Sequence, residues 1–282
     1  FLDHRIMAMD RATGQTRWQY KSEDAISASP TVSKGIVYIG GWDGITYALD
    51  ASTGKVIWKT QGAASTYSSI AIHEGLAYAT DTEGNLYILN ARTGQKHHRF
   101  RTPGGNTDSP VAANGLVYFN SAGKVYAVDA KAREIPGELQ FKKVWAQFWL
   151  WQVPGVPRPP VQKGGRWRFS PDSKDAGIIS PPAAADTVLY SGDTHGIFYA
   201  NDGINGSEVW RFQADGAVST SPVALGNLVY FGTRKGTFYA LDRSSGELIW
   251  QISLGAPIEA APAFSQGTFY VRTTDGQLHA IQ

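Results

Sequence analysis

Residues 37–58 read VYIGGWDGITYALDASTGKVIW, and the fold turns on this stretch. Val37-Tyr38-Ile39-Gly40 and Ile45-Thr46-Tyr47-Ala48-Leu49 are short runs of β-branched and aromatic residues, separated by Trp42-Asp43-Gly44. Asp50-Ala51-Ser52-Thr53-Gly54 then interrupts before Lys55 to Trp58. Such runs between Asp-Gly and Thr-Gly turns are antiparallel strands joined by tight hairpins. An Asp at a strand end accepts from nearby backbone N–H groups, and Gly takes the positive-φ position.

The motif Tyr47-Ala48-Leu49-Asp50 with Gly54 is one of seven copies. The others are Met7-Ala8-Met9-Asp10 with Gly14, Tyr87-Ile88-Leu89-Asn90 with Gly94, and Tyr126-Ala127-Val128-Asp129. Tyr199-Ala200-Asn201-Asp202 with Gly206, Tyr239-Ala240-Leu241-Asp242 with Gly246, and His279-Ala280-Ile281-Gln282 complete the set. Spacings between the Asp-equivalent positions are 40, 40, 39, 73, 40 and 40. A further short strand opens each unit, as at Ser29-Pro30-Thr31-Val32, Ser109-Pro110-Val111 and Ser221-Pro222-Val223. Four antiparallel strands every forty residues predict an all-β fold, a β-propeller of four-stranded blades with seven repeats visible. Residues 1–282 then form a single propeller domain, and a sandwich has no need of so strict a period.

Composition narrows the function. The chain has 282 residues, 42% hydrophobic and 18% charged, which is ample for a packed core. With no Cys, disulfides, thiolate zinc sites, cysteine nucleophiles and attached c-type haem are excluded. A net charge of +2 gives no indication of a nucleic-acid partner. No apolar run is long enough to span a bilayer as a helix.

The ends look incomplete. Phe1-Leu2-Asp3-His4 reads as the end of a second strand, and Gln282 stops the last unit before its outer strand. The expectation is a piece of a longer chain whose parent has seven or eight blades.

The 73-residue spacing reads as an insertion of about 30 residues, 132–166, within the fourth visible blade. Trp167-Arg168-Phe169 matches Trp210-Arg211-Phe212 and marks the resumed outer strand. Residues 131–166 carry a net +5 and leave the remainder at −3. Phe141, Val144, Trp145, Phe148 and Trp149 fall on one helical face, between Pro136-Gly137 and Pro154-Gly155. Pro157 to Pro160 suggests an extended tail. Either these aromatics pack onto the propeller's own flank, or Phe141, Trp145, Phe148, Trp149 and Trp151 dock a partner; a basic amphipathic segment can also rest on a membrane surface.

A second candidate site is an axial funnel where the inner-strand entries and the second-to-third-strand turns share a face. Its candidates are Ser27, Tyr67, Thr107, Asp108, Ser219 and Glu259, with Trp42, Asp43, Asp81, Glu83, Asp193, His195, Arg234, Lys235 and Asp275. A solvated funnel of turn residues explains the same pattern without a ligand. No Gly-x-Ser-x-Gly elbow, phosphate loop or His-Glu-x-x-His motif is present, so no catalytic residue or metal site is assigned.

The motif Ala-x-Asp-x-x-Thr-Gly with Trp eight residues after the Asp resembles the quinoprotein-type (PQQ-like) propeller repeat. Asp10/Trp18, Asp50/Trp58, Asp202/Trp210 and Asp242/Trp250 carry the likeness over nearly the whole chain, with His98 in the Trp place after Asn90. The resemblance implies that Trp18, Trp58, Trp167, Trp210 and Trp250 pack between blades. Its catalytic members hold pyrroloquinoline quinone with calcium, commonly beneath an adjacent-cysteine disulfide that this chain lacks. In character the chain is similar to the non-enzymatic outer-membrane assembly lipoprotein type. That implies a periplasmic or extracellular scaffold, a protein partner within a larger assembly and no cofactor; a quinoprotein-like oxidoreductase or small-ligand sensor is the alternative.

Overall fold

The computed structural model describes residues 4–105, 108–134, 138–157 and 162–282. The readings that fall on Phe1 to Asp3, Thr107, Pro136-Gly137 and residues 158–160 lie outside these. Each forty-residue unit becomes one antiparallel sheet. The first described sheet pairs Arg5–Met9 with Thr16–Lys21. The second runs Thr31–Ser33, Ile36–Gly40, Ile45–Asp50 and Val56–Gln61, and the third Ala71–His73, Leu76–Thr80, Asn85–Asn90 and Lys96–Arg101. The fourth is Val111–Ala113, Leu116–Ser121, Lys124–Asp129 and Gly165–Phe169, and the fifth Ala183–Ala185, Val188–Gly192, Ile197–Asp202 and Glu208–Gln213. Val223–Leu225, Leu228–Gly232, Thr237–Asp242 and Leu248–Ser253 form the sixth; Ala263–Ser265, Thr268–Arg272 and Leu278–Ile281 form the seventh. The chain is therefore an all-β propeller. Five of its seven described sheets have four strands, while the first shows two and the last three.

The three-residue inner strands of successive sheets touch one another, from the second sheet through the sixth. The core lies between sheets. Tyr38 and Trp58 of the second sheet pack with Ala77, Tyr87 and Leu89 of the third, and equivalent clusters fill the other interfaces. The second and third strands are buried on both faces, which is why they read as continuous apolar runs.

A recurring irregularity aims the tryptophans. Each third strand meets its outer strand with a register shift, as between Ala48 and Leu49, so that Ile57 opposes no residue. The same shift recurs at Ala8/Met9, Ala127/Val128, Ala200/Asn201 and Ala240/Leu241. Such a bulge bends and twists the outer strand, beside the Trp that faces the next sheet.

Between Asp129 and Gly165 the chain leaves the fourth sheet and forms α1 (Glu138–Leu150). Of the three readings for its aromatics, packing onto the flank does not describe the structure. Phe141 is 66% exposed and Trp151 66%, and Phe148, Trp149 and Leu150 are also exposed. The helix keeps its apolar groups to itself. Phe141 meets Trp145 edge-on and Phe148 meets Trp151 likewise, and the Trp145 indole donates to the carbonyl of Pro157 at 2.9 Å. The base of the segment is pinned to the third sheet: the buried His98 ring lies 3.0 Å from the Lys163 carbonyl and 3.3 Å from the Glu134 carboxylate. Gln162 donates to Arg99 O.

Candidate functional site

The second-to-third-strand turns and the approaches to the inner strands are laced into one face. Trp42 N donates to Ala25 O, Thr82 N to Ser65 O, Thr194 N to Gly177 O, and Arg234 N to Ala217 O. Side chains from neighbouring sheets thus meet there.

Most acids proposed for the funnel belong to the turns themselves. Asp81 is fully buried and accepts from Asn85 N and Nδ2, Glu83 N and the Tyr87 hydroxyl. Asp193 repeats this with His195 N, Ile197 N and the Tyr199 hydroxyl, and Asp43 with Ile45 N and the Tyr47 hydroxyl. Burial pushes the Tyr87 phenol up to about 12, so each of these tyrosines stays a donor to its acid. In the sixth sheet Thr233 replaces the turn acid, and Asp215 arrives from the preceding loop to accept from Thr233 and Thr237. In the seventh, Thr273 donates to Asp275.

The remaining candidates separate. Ser27 and Tyr67 share a neighbour: Trp42 donates its indole N–H to Ser27 Oγ at 2.9 Å and meets the Tyr67 ring edge-on at 5.2 Å. Asp108 is half-buried and accepts from Asn120 Nδ2 at 3.0 Å, and Asn120 also donates to Ser180 O. Burial raises the Asp108 carboxyl above its ordinary value, with the Asn120 bond acting the other way. Glu259 is exposed and pairs with Arg234 at 3.4 Å, beside a cavity of about 270 Å³ that Arg272 and Thr273 also line. His195 is exposed in its turn. Asp108 and Glu259 therefore have different neighbours. The buried Ser219 hydroxyl has no hydrogen-bond partner among the described residues.

Asn120 escaped the sequence reading. Aligning the units would have revealed it, since Ser180/Gly192 and Thr220/Gly232 occupy the places where the fourth unit has Asp108/Asn120.

The tryptophans sit between sheets. Trp18, Trp58, Trp167 and Trp210 donate their indole N–H to Ala51, Ala91, Gly203 and Arg243 carbonyls of the following sheet, at 2.9–3.0 Å. Trp250 packs on Tyr230 and Phe238. Gly54, Gly94, Gly206 and Gly246 lie so close to the preceding indole that a Cβ would come within 2.6–2.7 Å of it.

These residues do not fit a quinone–calcium group. The buried turn acids are already committed to tyrosine hydroxyls and backbone N–H groups, and among the described residues no cluster of three His, Asp or Glu is placed to hold a metal ion.

Indole-locked sheets with one laced loop face define a propeller of the PQQ-like repeat type. The model of the family described as outer membrane protein assembly factor BamB matches residues 2–135, 150–238 and 223–282. The chain belongs to that family. Many solved structures are similar to the chain, among them the two that follow. The computationally designed Ika8 protein superposes with a TM-score of 0.79 at 17% identity, over 99% of this chain and 78% of that one. BamB from Moraxella catarrhalis gives 0.55 at 18% identity, over 93% of this chain and 84% of that one. No curated protein sequence matches the chain.

Proposed function

We propose that the chain is a non-catalytic scaffold of the periplasm or cell exterior that holds a protein partner through the segment carrying α1. Family membership supports the scaffold class, and the family's description places its namesake in outer membrane protein assembly. No helix among the described residues is long and apolar enough to cross a membrane. The observation that carries the reading is the exposure of Phe141, Phe148 and Trp149 on α1, and of Trp151 just beyond it, in a segment tethered at its base to the third sheet. An amphipathic helix offering exposed aromatic anchors at i, i+7 and i+8 suits an apolar groove on a partner. The aromatic pair Trp42 and Tyr67 on the laced face is a second, smaller surface of the same kind.

The test is a photocrosslinking residue placed at Phe148 in the producing cell, with a second at the exposed Lys174 as reference. A discrete crosslinked protein from position 148, lost on Phe141→Ser with Trp149→Ser, supports the reading. Equal crosslinking from both positions counts against it.

A further inference from the structure

On the face opposite the laced loops, bridges between neighbouring sheets engage the same hairpin position of successive units. Between the third and fourth sheets Lys131 pairs with Glu74 at 2.8 Å. Between the fourth and fifth, Asn114 donates to Asp186 O at 2.6 Å. Between the fifth and sixth, Arg243 reaches Asp186 Oδ2 at 2.6 Å, Gly226 O at 2.8 Å and the Tyr190 hydroxyl at 3.3 Å. Each bridge starts from the positive-φ residue of the hairpin after an inner strand: Glu74, Asn114 or Asp186.

The junction of the second and third sheets breaks this rule. Its hairpin residue is Lys34, also at positive φ, and the residue matching Lys131 is Arg92. Among the described residues neither side chain has an ion-pair or hydrogen-bond partner, and both line one cavity of about 590 Å³. Ala91 stands in the Arg243 position, so nothing plugs the space; the twin cavity beside Arg243 is about 370 Å³. Glu74 on the same wall is already neutralised by Lys131, which holds its carboxyl below the ordinary value. His73 lies 3.9 Å from Glu74.

Two cations, where the Lys131–Glu74 and Arg243–Asp186 junctions place opposite charges, create a local positive potential that an intervening anion relieves. A guanidinium binds carboxylate or phosphate through two parallel bonds. Ile36, Tyr38 and Ile72 supply an apolar wall, and the volume suits a small organic molecule. We propose that this cavity binds a small organic phosphate or carboxylate, with its anionic group between Lys34 and Arg92 and its apolar part against Ile36, Tyr38 and Ile72. The site is independent of the scaffold reading.

Titration calorimetry of the whole chain at low salt tests it with phenyl phosphate, benzoate and inorganic phosphate. Phenyl phosphate is expected to bind more tightly than inorganic phosphate, and to lose at least about tenfold in affinity in Lys34→Asn and in Arg92→Gln. Asn114 occupies the matching turn position, so Lys34→Asn keeps the hairpin. Lys174→Gln, distant in the fold, leaves binding unchanged. Arg92→Glu is expected to pair with Lys34, raising Tm while abolishing binding. The proposal is overturned if none of the three probes binds, if the variants bind like the parent, or if Arg92→Glu lowers Tm. Retention on phosphatidylglycerol vesicles without phenyl phosphate binding also overturns it, because that is attraction to a charged surface.

Discussion

Trp58 donates its indole N–H to the carbonyl of Ala91, 3.0 Å away and 33 positions along the chain. Tyr38 donates its hydroxyl to the same oxygen, also at 3.0 Å. One backbone carbonyl of the third sheet thus receives two donors from the second. The arrangement recurs where Tyr118 and Trp167 converge on Gly203. It ties one sheet to the next at these two junctions, and it yields a graded expectation. Trp58→Ala removes both the ring and the bond and is expected to cost roughly 3–5 kcal/mol. Trp58→Phe is expected to cost about 1 kcal/mol, since Tyr38 still satisfies the carbonyl. Urea denaturation of the two variants checks the order.

Gly94 has φ +72 and would place a Cβ 2.6 Å from the Trp58 ring, whereas Gly75 has φ +78 with nothing within 4 Å. Gly75→Ala should therefore show the backbone penalty alone, of order 1–2 kcal/mol. Gly94→Ala adds displacement of the indole and is expected to lower Tm further. Equal losses would mean that the indole contact carries no weight.

The Ser52 and Thr53 hydroxyls, with the Thr53 N–H, hold the Asp50 carboxyl at about 2, below its ordinary 3.8. A folded value below the unfolded one gives stabilisation that is complete above the unfolded value and lost as pH falls through the folded one. Asn90 shows that an amide can cap the same turn. Asp50→Asn is thus expected to be less stable than the parent near neutrality, with the gap closing between about pH 4 and pH 2. Thermal melts across that range read it.

Asp81→Ala leaves the Asn85 amide and the Tyr87 hydroxyl without their shared acceptor in a buried turn. A loss of roughly 3 kcal/mol is expected. Calorimetric unfolding would show it, and a neutral outcome would free Asp81 for a role other than holding its turn.

Phe148→Ser on the exposed face of α1 is expected to change stability by less than about 0.5 kcal/mol. The same exchange at Phe119, which is fully buried, should be severe. A large loss at Phe148 would show that the helix packs on the propeller in solution.

Local chemistry repeated at a fixed interval made the strands, the turns and the propeller legible in the sequence. Asp50, Gly54 and Trp58 each act within a turn or at a fixed offset, and the same offsets return at Asp10, Asp202 and Asp242. Position in a repeat does not say which neighbour a side chain meets, because that depends on how sheets stack. Asp81 and Asp193 read in the chain either as funnel acids or as ordinary turn residues, and only the folded structure shows them bound by tyrosines of their own sheet. Asn120 bonds Asp108 12 positions away, and Lys34 and Arg92, 58 positions apart, line one cavity, which the stacking of sheets decides. Helical spacing also gave α1 its apolar face, but the surroundings of a face are a tertiary property: the tether of Gln162 to Arg99 and of His98 to Lys163 holds the helix base against the third sheet and leaves the aromatics of α1 exposed.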